Sequence, residues 1–195
     1  MHGNRMNNKI IVKDGVGTKI SSFDRSISGL ATAEKSKMVE IQDGQVYSIV
    51  SKPVVKNING ISIRMYGYNG QIPGPLIKVQ QGSMVYINFT NNMEFETTIH
   101  WHGLRHDSKF DGVVGISQDP VKPGESFLYI LSFPDAGIFW YHPHIREDLE
   151  QELGLYGNII VEPKDENYFN KVDKEIPLFL DDFRIGNNDA APFDT

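Results

Sequence analysis

The sequence predicts an all-β fold, a sandwich of short strands with one short helix. Two features carry that expectation. From residue 46 onward, short runs rich in Val, Ile, Tyr and Phe recur, punctuated by Gly, Pro and Asn at intervals typical of antiparallel sandwiches. Within the runs, apolar and polar residues alternate with the period of two that gives a strand one buried face.

The expected strands span residues 46–55, 61–68, 76–79, 84–90, 98–101, 126–133, 137–142 and 156–162. Asn57-Ile-Asn-Gly60 and Gln81-Gly82 supply turns between the earlier ones. In 84–90 the set Val85, Ile87, Phe89 forms a strongly apolar face against Met84, Tyr86, Asn88. Pro73-Gly74-Pro75 reads as a rigid turn. The helix is expected over 145–153, where Ile145, Leu149 and Leu153 recur every four residues, Arg146 and Glu150 can pair, and Gly154 supplies a stop.

Flanking these elements, residues 1–45 are polar and without sustained period, and are expected as a flexible or loosely docked arm. Residues 46–163 form the expected sandwich domain, and the charged stretch 164–175 reads as a linker. A new apolar run opens at 176, so 176–195 is expected as the beginning of a truncated second domain. No internal repeat or low-complexity tract interrupts this order.

Composition narrows the function. A net charge of −6 with no basic face argues against nucleic acid as a partner. No apolar stretch approaches the roughly 18 residues of a membrane-spanning helix. The sequence has no Cys, which excludes disulfides, thiolate nucleophiles, Cys-rich zinc sites and thiolate-ligated blue copper. The amino terminus lacks the apolar core of a secretory signal, so the protein is expected to be cytoplasmic or to have lost its signal.

Four of the six histidines fall in two His-x-His pairs, His100-Trp101-His102 and His142-Pro143-His144. On an extended segment, side chains at i and i+2 point to the same side, about 6–7 Å apart, so each pair can present two imidazoles to one cavity. Two pairs on facing strands make a four-nitrogen metal site. Neutral imidazole suits Cu, Zn, Ni and Fe alike, so ligand type alone does not identify the metal. Trp101 and Trp140 read as core, Arg146 and Glu147 as a solvated helix face, His106 as a surface histidine in a polar loop and His2 as part of the arm.

These motifs fall in a familiar order. Tyr68-Asn-Gly-Gln-Ile-Pro-Gly-Pro75, His100-Trp-His-Gly103, Asp111-Gly-Val113, Gln118-Asp-Pro120, Pro123-Gly-Glu-Ser-Phe127, Gly137-Ile-Phe-Trp-Tyr-His-Pro-His144 and Gly154-Leu-Tyr-Gly157 resemble the first domain of laccase-like multicopper oxidases of the three-domain type. The resemblance implies a cupredoxin-like Greek-key β-sandwich. Ile176-Pro-Leu-Phe-Leu-Asp-Asp-Phe183 resembles the first strand of that family's second domain.

Position by position, the resemblance implies that His100 binds the type 2 copper and that His102, His142 and His144 bind the type 3 pair. It implies that Asp111 assists proton delivery, although an Asp-Gly turn residue accounts for Asp111 equally well. The implied partners are O₂, a phenolic, amine or metal-ion reductant, and C-terminal domains that complete the copper site and hold the type 1 copper. On that reading the isolated chain is inactive and the parent protein is exported or periplasmic. The alternative is a non-catalytic copper- or zinc-binding module.

Overall fold

In the computed structural model, residues 24–186 and 189–190 are described. Two mixed sheets pack face to face. One has the order β1-β4-β9-β8-β6, from β1 (Met38–Glu40), β4 (Leu76–Gln80), β9 (Gly157–Glu162), β8 (Gly137–His142) and β6 (His100–His102). The other has the order β3-β2-β5-β7, from β3 (Ile61–Tyr68), β2 (Val46–Ile58), β5 (Met84–Asn91) and β7 (Ser126–Ser132). This is the expected cupredoxin-like sandwich. Among the described residues no helix is long and apolar enough to cross a membrane.

Each sheet contains parallel pairs that the antiparallel expectation did not include: β2 with β5, β1 with β4, and β4 with β9. Alternation reports which face of a strand is buried but not the direction of its neighbour, since a parallel partner is reached by a long crossover. The core lies between the sheets. Ile49, Val85, Ile87, Phe89, Tyr129, Leu131, Ile159 and Val161 are all fully buried there. Tyr141 crosses this core and donates its hydroxyl to the Pro75 carbonyl at 2.7 Å. Gly157 permits the crossing, because a Cβ there would lie 2.3 Å from the Tyr141 ring.

The amino-terminal expectation needs correction for residues 24–45; residues 1–23 lie outside the described set. Met38–Glu40 is an edge strand in register with Leu76, Ile77 and Lys78. Upstream, Thr32 bridges to Val55 and Glu34 to Gln71, and Ile41 is only 2% exposed. Backbone hydrogen bonding to a sheet edge docks this segment, and such bonds do not depend on an apolar pattern.

The helix is also shorter than expected. Arg146 has φ 43° and ψ 51°, the left-handed region, so α1 is confined to Glu147–Glu150. Leu149 and Leu153 are buried as the periodicity required. Arg146 forks onto the Asp148 carboxylate at 2.9 and 3.0 Å. Glu150 turns inward, fully buried, and its Oε2 bonds the Thr97 hydroxyl.

Residues 176–180, expected as a strand, have no ladder among the described residues, and Ile176, Leu178 and Leu180 are exposed. Phe179 stacks on Tyr156 with centroids 4.5 Å apart, which returns the segment to the sandwich. A small hairpin, β10 (Ile185–Gly186) with β11 (Asp189–Ala190), follows.

Candidate metal centre

The two His-x-His pairs meet because β6 and β8 are antiparallel neighbours with His100 opposite His142, Trp101 opposite Tyr141 and His102 opposite Trp140. The period of two sends Trp101 and Tyr141 into the core, where both are fully buried. It sends His100, His102, Trp140 and His142 to the other face. Ring centroids of His100 lie 5.4 Å from His102, 5.4 Å from His142 and 5.2 Å from His144.

One ring nitrogen each from His100, His102 and His142 can be chosen so that all three lie within 4.8 Å of one another. His144, beyond the strand end, stands outside that set, 6.4 Å from the His142 ring. Its Nδ1 lies 3.3 Å from Glu147 Oε1, and its backbone N–H donates to Thr98 Oγ1. Glu147, expected on a solvated helix face, therefore touches one of the paired histidines.

Hydrogen bonds decide which nitrogens are available. His100 Nδ1 lies 2.7 Å from the Asp111 carbonyl, and His142 Nδ1 lies 2.8 Å from the Pro143 carbonyl. A carbonyl only accepts, so both Nδ1 atoms carry hydrogen and both Nε2 atoms present lone pairs. His102 Nδ1 lies 3.3 Å from His142 Nε2, and because that Nε2 carries no hydrogen, His102 Nδ1 is the donor between them in the metal-free chain. Burial, reinforced by the other three histidines and opposed by the Pro143 carbonyl, lowers the His142 pKa to about 4. His142 is thus in the neutral, metal-binding form at neutral pH. Three convergent imidazoles, two with fixed tautomers, fit a borderline cation such as copper or zinc.

Trp140 is part of this surface rather than core. Its indole stacks on His142 at 4.0 Å and 18°, and lies 4.9 Å from His102. Trp101 is core, as expected.

Asp111 lies beside His100. Its backbone closes the turn Ser108–Phe110, its carbonyl holds His100, and its Oδ1 is 3.3 Å from His100 Nδ1. Gly112 makes this approach possible: its φ is +76°, and a Cβ would lie 2.0 Å from the Ile99 carbonyl oxygen.

His106 requires correction. It was expected on the surface, yet its side chain is only 2% exposed, with Nε2 3.4 Å from Asp111 Oδ1. The turn Ser108–Phe110 folds residues 106 and 111 toward each other, and no strand or helix period encodes that. Glu150 was likewise seen only as a helix residue, because nothing in its spacing reports burial.

The multicopper oxidase family model matches residues 50–166, so the chain belongs to that family of oxidoreductases. Its relatives include Multicopper oxidase MCE of Talaromyces pinophilus, 45% identical over 109 residues covering 55% of this chain and 18% of that protein. Copper resistance protein A of Pseudomonas syringae pv. tomato is 30% identical over 151 residues, covering 77% and 24%. A crystal structure of a multi-copper oxidase from Pseudomonas thermotolerans superposes with a TM-score of 0.61 at 38% identity, covering 65% of this chain and 31% of that one. The chain spans 18% and 24% of the length of the first two relatives.

Proposed function

We propose that this chain supplies His100, His102, His142 and His144 to a trinuclear copper cluster that reduces O₂ to water. In this reading His100 serves the type 2 copper, and His102, His142 and His144 serve the type 3 pair. The convergence of His100, His102 and His142 nitrogens within 4.8 Å carries the proposal. Copper bound there would supply the one-electron chemistry that couples a phenolic, amine or metal-ion reductant to dioxygen.

The chain's own groups have definable tasks. The Asp111 and Pro143 carbonyls hold two rings by their Nδ1 hydrogens, which fixes the direction of each Nε2 lone pair. Trp140 covers the His142 ring and excludes water from that side. The Asp111 carboxylate, beside His100, can hold and pass protons needed to form water.

The sequence has no Cys, so a thiolate-ligated type 1 copper must come from elsewhere in a parent oxidase. Further domains fit the exposed apolar side chains of Ile138, Ile176, Leu178 and Leu180, which another domain would cover. A second reading is a copper- or zinc-binding module without oxidase activity.

The test is to equilibrate the 195-residue chain with Cu²⁺, desalt it, and measure bound metal and oxygen uptake. The proposal expects stoichiometric copper that is lost when His100 and His142 are both replaced by Ala. It also expects no band at about 600 nm and no oxygen uptake until the missing domains are added. Copper retention unchanged in the double variant would overturn the site. Continued lack of oxygen uptake by the full-length parent would favour the module.

A further inference from the structure

His106 belongs to neither histidine pair, yet its imidazole is almost completely buried beside the site. Its ring nitrogens have no hydrogen-bond partner of ordinary geometry, which makes the placement costly unless something is gained. The nearest acidic atom is Asp111 Oδ1, 3.4 Å from Nε2 and at the long edge of hydrogen bonding. That same oxygen lies 3.3 Å from His100 Nδ1. Asp111 thus stands between two imidazoles, one reading as a metal ligand and one not.

The local chain is built for this. Asp107 accepts from the Lys109 backbone N–H and caps the turn Ser108–Phe110, which brings residues 106 and 111 face to face. Gly112 then lets the backbone press against Ile99, one residue before His100. Burial, the largest influence, lowers the His106 pKa, with the Asp111 charge and the Asp107 backbone opposing it. A neutral ring still donates from one nitrogen, and Nε2 is the one that faces a carboxylate oxygen.

We infer that His106 is a positioning residue: it donates from Nε2 to Asp111 Oδ1 and holds that carboxylate against His100. The Asp111 carbonyl takes the His100 Nδ1 hydrogen, and the carboxylate adds negative charge behind the ring, which strengthens its other nitrogen as a ligand; losing such a partner typically lowers metal affinity about 10–100-fold. His106 acts one step further out, through Asp111. The contact itself is a property of the metal-free chain; its effect on copper rests on the reading of His100 as a ligand.

The experiment has two arms. In the metal-free chain, long-range ¹H–¹⁵N spectra should show His106 as a single Nε2–H tautomer, and Asp111→Ala should release it to average between tautomers. An Nδ1–H tautomer, or a spectrum unaffected by Asp111→Ala, overturns the inference whether or not the variant series folds well, because the first observation uses the unaltered chain. In the second arm, Cu²⁺ affinity is measured by competition with a chelator. His106→Leu should weaken binding several-fold, His106→Gln should restore it by offering an N–H at a similar reach, and His106→Leu should have no further effect in Asp111→Ala. Additive effects of the two replacements would refute action through Asp111. If the unaltered chain binds no copper, the metal reading fails, while the tautomer measurement still decides the His106 contact.

Discussion

Replacing Glu150 with Gln isolates the energetic consequence of a carboxyl group buried inside the sandwich. Glu150 is fully buried, its Oε2 bonds Thr97, and its Oε1 has no partner. Burial pushes its pKa well above the ordinary glutamate value of the unfolded chain, against the pull of the Thr97 hydroxyl and the Arg146 charge. A raised folded-state pKa means that full stability is present below the unfolded pKa. As pH rises past it, the unfolded chain releases the proton while the folded one retains it. Stability then falls by about 1.4 kcal/mol per pH unit until the folded carboxyl ionises as well.

Gln cannot titrate, so Glu150→Gln removes this fall. Its amide can keep the bond to Thr97 but leaves an extra N–H without a partner, at a cost of about 1–3 kcal/mol. The variant should therefore be the less stable protein near pH 5 and gain on the native chain by about 1.4 kcal/mol per pH unit above it. Urea unfolding followed by tryptophan fluorescence from pH 5 to 8 measures the difference. Two stability curves that run parallel across this range would refute an uncharged Glu150.

Three other replacements probe the scaffold. Gly112→Ala places a Cβ 2.0 Å from the Ile99 carbonyl at a φ of +76°; overpacking should destabilise the chain by about 1–3 kcal/mol in urea unfolding and shift the His100 Nδ1–H resonance. Tyr141→Phe leaves the Pro75 carbonyl without its buried donor, and the unfolding free energy should drop by about 1–3 kcal/mol. Trp140→Leu removes the ring stacked on His142, and an aromatic contact worth about 0.5–1.5 kcal/mol corresponds to a loss of copper affinity of about 2–10-fold in chelator competition.

The sequence made the site legible through one simple relation. Histidines two residues apart on an extended chain share a face, and β6 and β8 bring His100, His102 and His142 together on one face as that relation requires. Most strands were legible for the same reason, and Val85, Ile87 and Phe89 are buried as their alternation demanded. What escaped depends on contacts without a local period. β1 is three residues held by backbone bonds to β4, and the crossover partners of β2 and β4 are set by the whole topology. His106 and Glu150 meet their partners only after a turn and a one-turn helix have formed. His144 occupies an intermediate place: its motif announced it, but lying past the strand end it does not share the tight grouping of the other three.

The most direct measurement is the X-ray absorption spectrum of the chain loaded with one equivalent of Cu²⁺. Imidazole rings produce characteristic multiple scattering, and nitrogen ligands should lie at about 2.0 Å. The proposed site predicts two or three imidazoles per copper, reduced when His100 and His142 are replaced together. A first shell of oxygen alone, or an imidazole signal unchanged by that double replacement, would contradict a copper site built from the paired histidines.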